Sequence, residues 1–349
     1  MEHLKVAFHA ELADPESGQV LVADGKVVIG NRRWAPGDLL QALGGQIFDD
    51  VFANWLAERQ QRMLDRADEI LSQYDQTDRF ETLKAAFQRG TVLPFIGAGM
   101  SMPSQYPGWT AFLRKLRRQT SVPEARLNEL LARDEYEQAA QELADALDVG
   151  FDEQVESTFG RERELRGPVQ LLPLVFPTAS AATTNFDDVL PRCFARCGRS
   201  FDQVVSGVDA DEMQRVLGTG RRVLVKLHGT ATSGRGRVLT SREYEAAYGG
   251  DALTRVVRVL CGRTLLFMGC RLTVDRLLGE LRRLVATEGH QRVARHYALL
   301  ATGEDEAERP ARAAALARLN VYPIWYPEGT DDESIEALLY RLANGVVSL

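Results

Sequence analysis

The sequence predicts an α/β fold built on a doubly wound parallel sheet, and three observations predict it. From residue 91 onward, short apolar runs of strand length alternate with segments of helical periodicity. The runs end abruptly in glycine or small polar residues, as parallel strands do where they hand over to the loops that hold ligands. No internal repeat or low-complexity linker breaks the alternation. At 349 residues the chain can bury one large core or two smaller ones, and 45% hydrophobic with 26% charged residues is an ordinary globular composition.

Taken in order, residues 1–45 read as short strands joined by turns. In VLVADGKVVIGNRRW, Asp24-Gly25 separates two β-branched runs and predicts a hairpin. Residues 46–84 read as helical, with Phe52, Trp55, Leu56, Met63, Leu64, Ile70 and Leu71 on one stripe. A second helix, DRFETLKAAFQRG, closes at Gly90. The α/β domain proper is expected over residues 85–349. An acidic helical insertion interrupts it at about 124–160; its charge run reads as a solvated face, and lid or interface are its two candidate roles.

Four strand ends carry polar or glycine motifs. The first strand, TVLPFI, breaks into Gly97-Ala98-Gly99, where the missing Cβ atoms let the backbone turn tightly and approach a ligand. Ser101 follows as a helix N-cap or phosphate contact, ahead of the helical pattern WTAFLRKL. A strand, a glycine turn and a helix N-terminus make an anion site, although a tight strand-to-helix turn needs no ligand to explain it. Met102 stands where a third glycine would complete the dinucleotide fingerprint, and no Lys-Ser or Lys-Thr follows. The second motif, TTNFD, places Asn185 and Asp187 at the end of a small-residue strand, where turn and N-cap chemistry is the plain alternative. The third, KLHG, delivers His228 and Gly229 at a strand end, a setting the other four histidines lack. The fourth strand, RTLLFMG, leads into Gly269-Cys270-Arg271-Leu272 and a helix; HYALLA, NVYPIWY and the helical IEALLYRLA complete the alternation.

Other chemistry recedes. Cys193, Cys197, Cys261 and Cys270 are too few and too scattered for a disulfide framework or a zinc site, so no metal is expected. A net charge of −7 does not suit sequence-specific nucleic-acid binding, and the arginines at 221, 222, 235 and 237 read mostly as solvated loop charges. The N-terminal residues lack a signal-peptide pattern and no apolar run is long enough to span a bilayer, so a cytoplasmic location away from membranes is expected.

GAGMS, TTNFD, KLHG and FMGCRL, in that order and each after a predicted strand, resemble the sirtuin-like (Sir2-type) NAD-binding fold over about residues 85–349. The resemblance is closest to the bacterial sirtuin-like domains of antiphage defence proteins. It implies that Gly97, Ala98, Gly99 and Ser101 match the turn that cradles phosphate, that Asn185 and Asp187 match the second motif's polar pair, and that His228 matches the catalytic histidine. Thr184 and Gly229 adjoin them, and Gly269, Arg271 and Leu272 match the loop beside the adenosine ribose. The two Cys-x-x-Cys pairs of protein-deacylating sirtuins are missing, and MPSQYPGW replaces their Pro-Asp-Phe-Arg segment. Both departures match the branch that hydrolyses NAD. An N-terminal hairpin and helices followed by one such domain resemble the stand-alone defence proteins that act with a HerA-type ATPase. Activation by a partner or by homo-oligomeric assembly is the expectation.

Cleavage of the nicotinamide–ribose bond develops oxocarbenium character and releases a neutral ring, so the site needs a diphosphate hold, exclusion of bulk water and one placed nucleophile. Asn185 suits the orientation of a water, His228 the acceptance of a proton at a pKa near operating pH, and Asp187 a supporting bond to Asn185 or to the strand-end backbone. A non-catalytic NAD or ADP-ribose sensor regulating a partner ATPase, and an NAD-dependent protein deacylase, are the competing readings.

Overall fold

Strand β1 (Val27–Ile29) and β2 (Arg32–Trp34) form a small antiparallel pair, and seven strands make the main sheet: β3 (Val92–Ile96), β4 (Ala181–Thr183), β5 (Gln203–Ser206), β6 (Val223–Lys226), β7 (Thr264–Met268), β8 (His296–Ala301) and β9 (Val321–Tyr326). This computed structural model describes residues 2–14, 26–29, 32–206, 215–216, 219–234, 236–249, 251–272, 276–303 and 305–344. The main sheet is parallel throughout, in the order β5-β6-β4-β3-β7-β8-β9. The chain enters at β3, adds β4 beside it, lays β5 at the edge and β6 between them, then returns to build β7, β8 and β9 outward on the other side. That reversal makes β3 the topological switch point, where ligands of open α/β sheets bind beyond the carboxyl ends of the strands.

The sheet is buried on both faces, which is why its strands read as continuous apolar runs. Alternate residues feed opposite cores: Val92 and Ile96 join one apolar cluster, Leu93 and Phe95 the other. The first cluster takes Ile70, Leu71, Phe112, Leu127, Leu143 and Leu338 from helices on its face; the second takes Val256, Leu260, Leu281 and Leu316. The doubly wound fold expected from the sequence is the observed one. The insertion consists of helices Glu124–Ala132, Tyr136–Leu147 and Gly150–Phe159. Among the described residues, no helix is long and apolar enough to cross a membrane.

The N-terminal segment differs from its reading. It opens on a helix, Glu2–Ala13, and holds another at Pro36–Ala42. Leu4, Phe8 and Leu12 recur every four residues and bury against Phe48, Phe52 and Trp55 in a separate small cluster. Val27–Ile29 pairs forward with Arg32–Trp34, while the Asp24-Gly25 turn lies outside the described residues. The long helix Gly45–Gln73 joins this cluster to the main core, burying Phe48, Phe52 and Trp55 at one end and Ala67, Ile70 and Leu71 at the other.

Candidate functional site

Strand register assembles the site. Ile96 pairs with Thr183 on one side and Met268 on the other, and Thr183 pairs with Lys226. The four motif-bearing strands are therefore neighbours, β6-β4-β3-β7, and they end at one level. Gly97, Thr184, Leu227 and Gly269, each one residue beyond, leave the sheet together. Residues as far apart in sequence as Gly97 and Gly269 meet because parallel pairing brings like ends to the same edge.

The turn after β3 is tighter than a helix entry. Two short 3₁₀ turns, Ala98–Met100 and Met102–Ser104, precede the helix Trp109–Arg117, whose N-cap position is Gly108 and not Ser101. The N–H groups expected to cradle phosphate are engaged elsewhere: Gly97 donates to the Met268 carbonyl and Gly99 to the Gly269 carbonyl, each at 2.9 Å. The glycines are required for the approach of one turn to the other. A Cβ on Gly97 or Gly99 would overlap the Gly269 backbone, and one on Gly269, at φ +67°, would stand 2.5 Å from the Met100 nitrogen.

Asn185 is the hub. Its Nδ2 donates to the Gly97 carbonyl at 3.0 Å and to Ser101 Oγ at 3.1 Å. With both amide hydrogens given, Oδ1 is the end of the side chain fit to accept from a water or a ribose hydroxyl. The backbone beneath is pinned by Thr183, whose hydroxyl donates to the Ile96 carbonyl at 2.8 Å and accepts from the Asn185 N–H at 3.0 Å. Ser101 also favours the charged form of the nearby Asp187 carboxylate, and Asn185, Ser101 and Asp187 are all buried. Asp187 Oδ1 further accepts from the Val189 N–H at 3.0 Å. The bond goes to the first residue of the helix Val189–Arg196, whereas Asn185 or the strand-end backbone was the expected partner.

Lys226, which the sequence reading passed over, lies under this loop. Only 4% exposed, its ammonium donates to the carbonyls of Phe186 at 3.1 Å and Asp187 at 2.6 Å. Burial pushes the Asp187 carboxyl above its ordinary range and the Lys226 ammonium below its own, while the charge of each opposes the other's shift. Desolvation is the larger effect on both groups, and the Lys226 ammonium is held by backbone carbonyls of the loop that carries Asp187.

His228, two residues past the end of β6, sits in a different environment from the one expected. It is 3% exposed, and both ring nitrogens face tyrosine hydroxyls: Nε2 lies 3.1 Å from Tyr248 and Nδ1 3.4 Å from Tyr244. Burial pushes its pKa down to about 3, well below the operating range the sequence reading assumed. The ring is thus neutral at physiological pH. Both tyrosines belong to the helix Ser241–Tyr248, which starts with a capping box: Glu243 N–H bonds Thr240 Oγ1, and Glu243 Oε2 accepts from the Thr240 N–H at 2.8 Å. Arg237, read from sequence as a solvated charge, is buried, bridging Asp152 of the insertion at 2.6 Å and Glu243 at 2.9 Å. Arg242 adds a pair with Asp145 at 3.0 Å. The insertion therefore braces the tyrosine helix over His228.

The remaining site residues lie around this centre. Thr184 is half-buried beside Asn185. Gly229, at φ +76°, passes so close to Gly236 that a Cβ would stand 2.7 Å from its carbonyl oxygen. Leu272 is buried with φ +51°, and Arg271 is exposed, its carbonyl accepting from Arg312 at 2.6 Å. Among the described residues, no three of His, Cys, Asp and Glu stand together as a metal site. Thr183 and Lys226 lay within motifs already singled out, and their buried polarity inside apolar strands was the available signal. Tyr244 and Tyr248 carried none beyond their i, i+4 spacing.

No curated protein matches the chain at significant similarity. Residues 179–324, which run from the strand bearing Asn185 through the His228 and Gly269 turns into β9, match the SIR2-like domain, a match that ties this part of the site to NAD-related chemistry.

Proposed function

We propose that the chain is an NAD glycohydrolase that converts NAD and water to nicotinamide and ADP-ribose. The observation that carries this reading is the convergence of Asn185, His228 and the Gly97 and Gly269 turns at one sheet edge, within and beside a SIR2-like match. The ribose and diphosphate would lie against the side-chain-free turns. Water oxygen, oriented by Asn185 Oδ1, would attack the anomeric carbon as the carbon–nitrogen bond breaks and its electron pair leaves with neutral nicotinamide. The water proton passes to His228. A base with a pKa near 3 is weak for this task, but the diphosphate brings negative charge that raises a neighbouring imidazole's pKa. The absent paired cysteines support hydrolysis over protein deacylation. By the resemblance, NAD depletion would serve bacterial antiphage defence, with a HerA-type ATPase partner and homo-oligomeric assembly in the cytoplasm.

Asn185→Ala and His228→Ala should each abolish NAD loss while circular dichroism stays native, since general-base loss is typically worth roughly 10² to 10⁴ in rate. Nicotinamide release without any acylated peptide separates hydrolysis from deacylation. Retained hydrolysis in a folded variant would remove that residue from the mechanism. A second reading, a non-catalytic NAD or ADP-ribose sensor, has one observation in its favour: both nitrogens of His228 are occupied and the ring is buried. NAD binding without turnover would select it.

A further inference from the structure

Two hydroxyls on one imidazole impose a division of labour. A neutral ring has one N–H donor and one lone-pair acceptor, so one tyrosine must accept and the other must donate. The closer contact, 3.1 Å at Nε2, suits a Tyr248 hydroxyl donating into a lone pair, because O–H donors approach nearest. The looser 3.4 Å contact at Nδ1 suits a ring N–H resting on Tyr244 Oη. The rings leave little freedom: Tyr244 and Tyr248 stack at 5.7 Å, and His228 meets them edge-on at 5.2 and 6.3 Å. One helical turn apart, they present their hydroxyls along a single helix face, braced by the capping box and the insertion.

We infer that Tyr244 and Tyr248 are positioning residues for His228, Tyr244 fixing the ring proton on Nδ1 and Tyr248 holding at Nε2 the place that a substrate hydroxyl or water takes during turnover. The inference rests on the hydrolase reading for its kinetic part alone. The partner of one ring nitrogen sets which nitrogen keeps its lone pair, so Tyr244 decides that Nε2 is the base. Tyr248 must yield that nitrogen before a proton can pass to it. The two hydroxyls, alike in sequence, therefore act in opposite directions.

The test uses the full chain carrying ¹⁵N-labelled histidine, with the His228 signals identified by their loss in His228→Ala. Tyr244→Phe and Tyr248→Phe keep the stacked rings and remove one hydroxyl each. The wild type should show the proton on Nδ1, Tyr248→Phe should keep it there, and Tyr244→Phe should populate the other tautomer. In NAD turnover, Tyr244→Phe should lower kcat roughly ten- to a hundred-fold, part of the roughly 10² to 10⁴ that a positioned general base supplies, with KM little changed. Tyr248→Phe should raise kcat/KM, since substrate no longer competes for Nε2. An unchanged ring spectrum in both folded variants, or equal kinetic losses in both, would overturn the assignment. The predicted tautomer shifts in a protein that never consumes NAD would support the clamp and overturn the hydrolase.

Discussion

At the residue scale the site depends on what glycine permits and what a buried amide can reach. Gly97, Gly99 and Gly269 allow two strand-end turns to touch, and that contact fixes the carbonyl on which Asn185 rests. Gly269→Ala forces an L residue to φ +67° and pushes a methyl toward Met100, so it should cost more than about 1 kcal/mol. Thermal denaturation should show the loss and an NAD titration should show weakened binding; wild-type values in both would deny the turn its role. Asn185 and His228 were legible because a polar side chain at the end of an apolar run has few reasons to be there. The function of the glycines was legible only in part: their need for close approach was clear, but the partner, the distant turn at Gly269, was not. The His228 pKa was misjudged because sequence shows a histidine at a strand end and not the tyrosines that enclose it.

At the scale of elements, the braced tyrosine helix is the main addition to what the sequence displayed. Arg237, its side chain 5% exposed, ties the helix start to the insertion through Asp152 and Glu243 and lies 5.3 Å from the Phe151 ring. Arg237→Ala should lower stability by about 2 kcal/mol, the usual scale for hydrogen bonds to charged groups. Hydrogen exchange should accelerate in the helix Ser241–Tyr248, whereas exchange as slow as wild type would mean the capping box alone secures it. Sequence could place Arg237 in a basic cluster but could not show that an insertion some eighty residues earlier folds back to meet it. The first helix was missed for a related reason. Leu4, Phe8 and Leu12 mark a narrow stripe whose partners, Phe48, Phe52 and Trp55, lie far along the chain, in the helix that begins at Gly45. The main strands were read correctly because burial on both faces leaves an apolar run that a helix of that length does not produce.

At the scale of the whole molecule, parallel register determines where chemistry is placed, and buried neutral histidines determine how stability depends on pH. Burial lowers His228 to about 3 and His296 and His3 to about 4, against an ordinary 6.5. The unfolded chain therefore binds more protons than the folded one below 6.5. Stability is full above that value and falls as pH drops toward 4, by up to about 1.4 kcal/mol per pH unit for each fully buried ring. Melting temperature measured from pH 7.5 to 4.5 should decline below 6.5, more steeply than in His296→Gln; a flat profile would mean these rings are more accessible than their packing indicates. The central claim is that the edge of β6-β4-β3-β7 holds NAD and breaks it. The most direct measurement is proton NMR of NAD incubated with the purified chain, alone and with its neighbouring gene product, beside His228→Ala. The account predicts stoichiometric nicotinamide and ADP-ribose from the wild type and intact NAD from the variant; NAD that binds the wild type in both preparations and stays whole would contradict it.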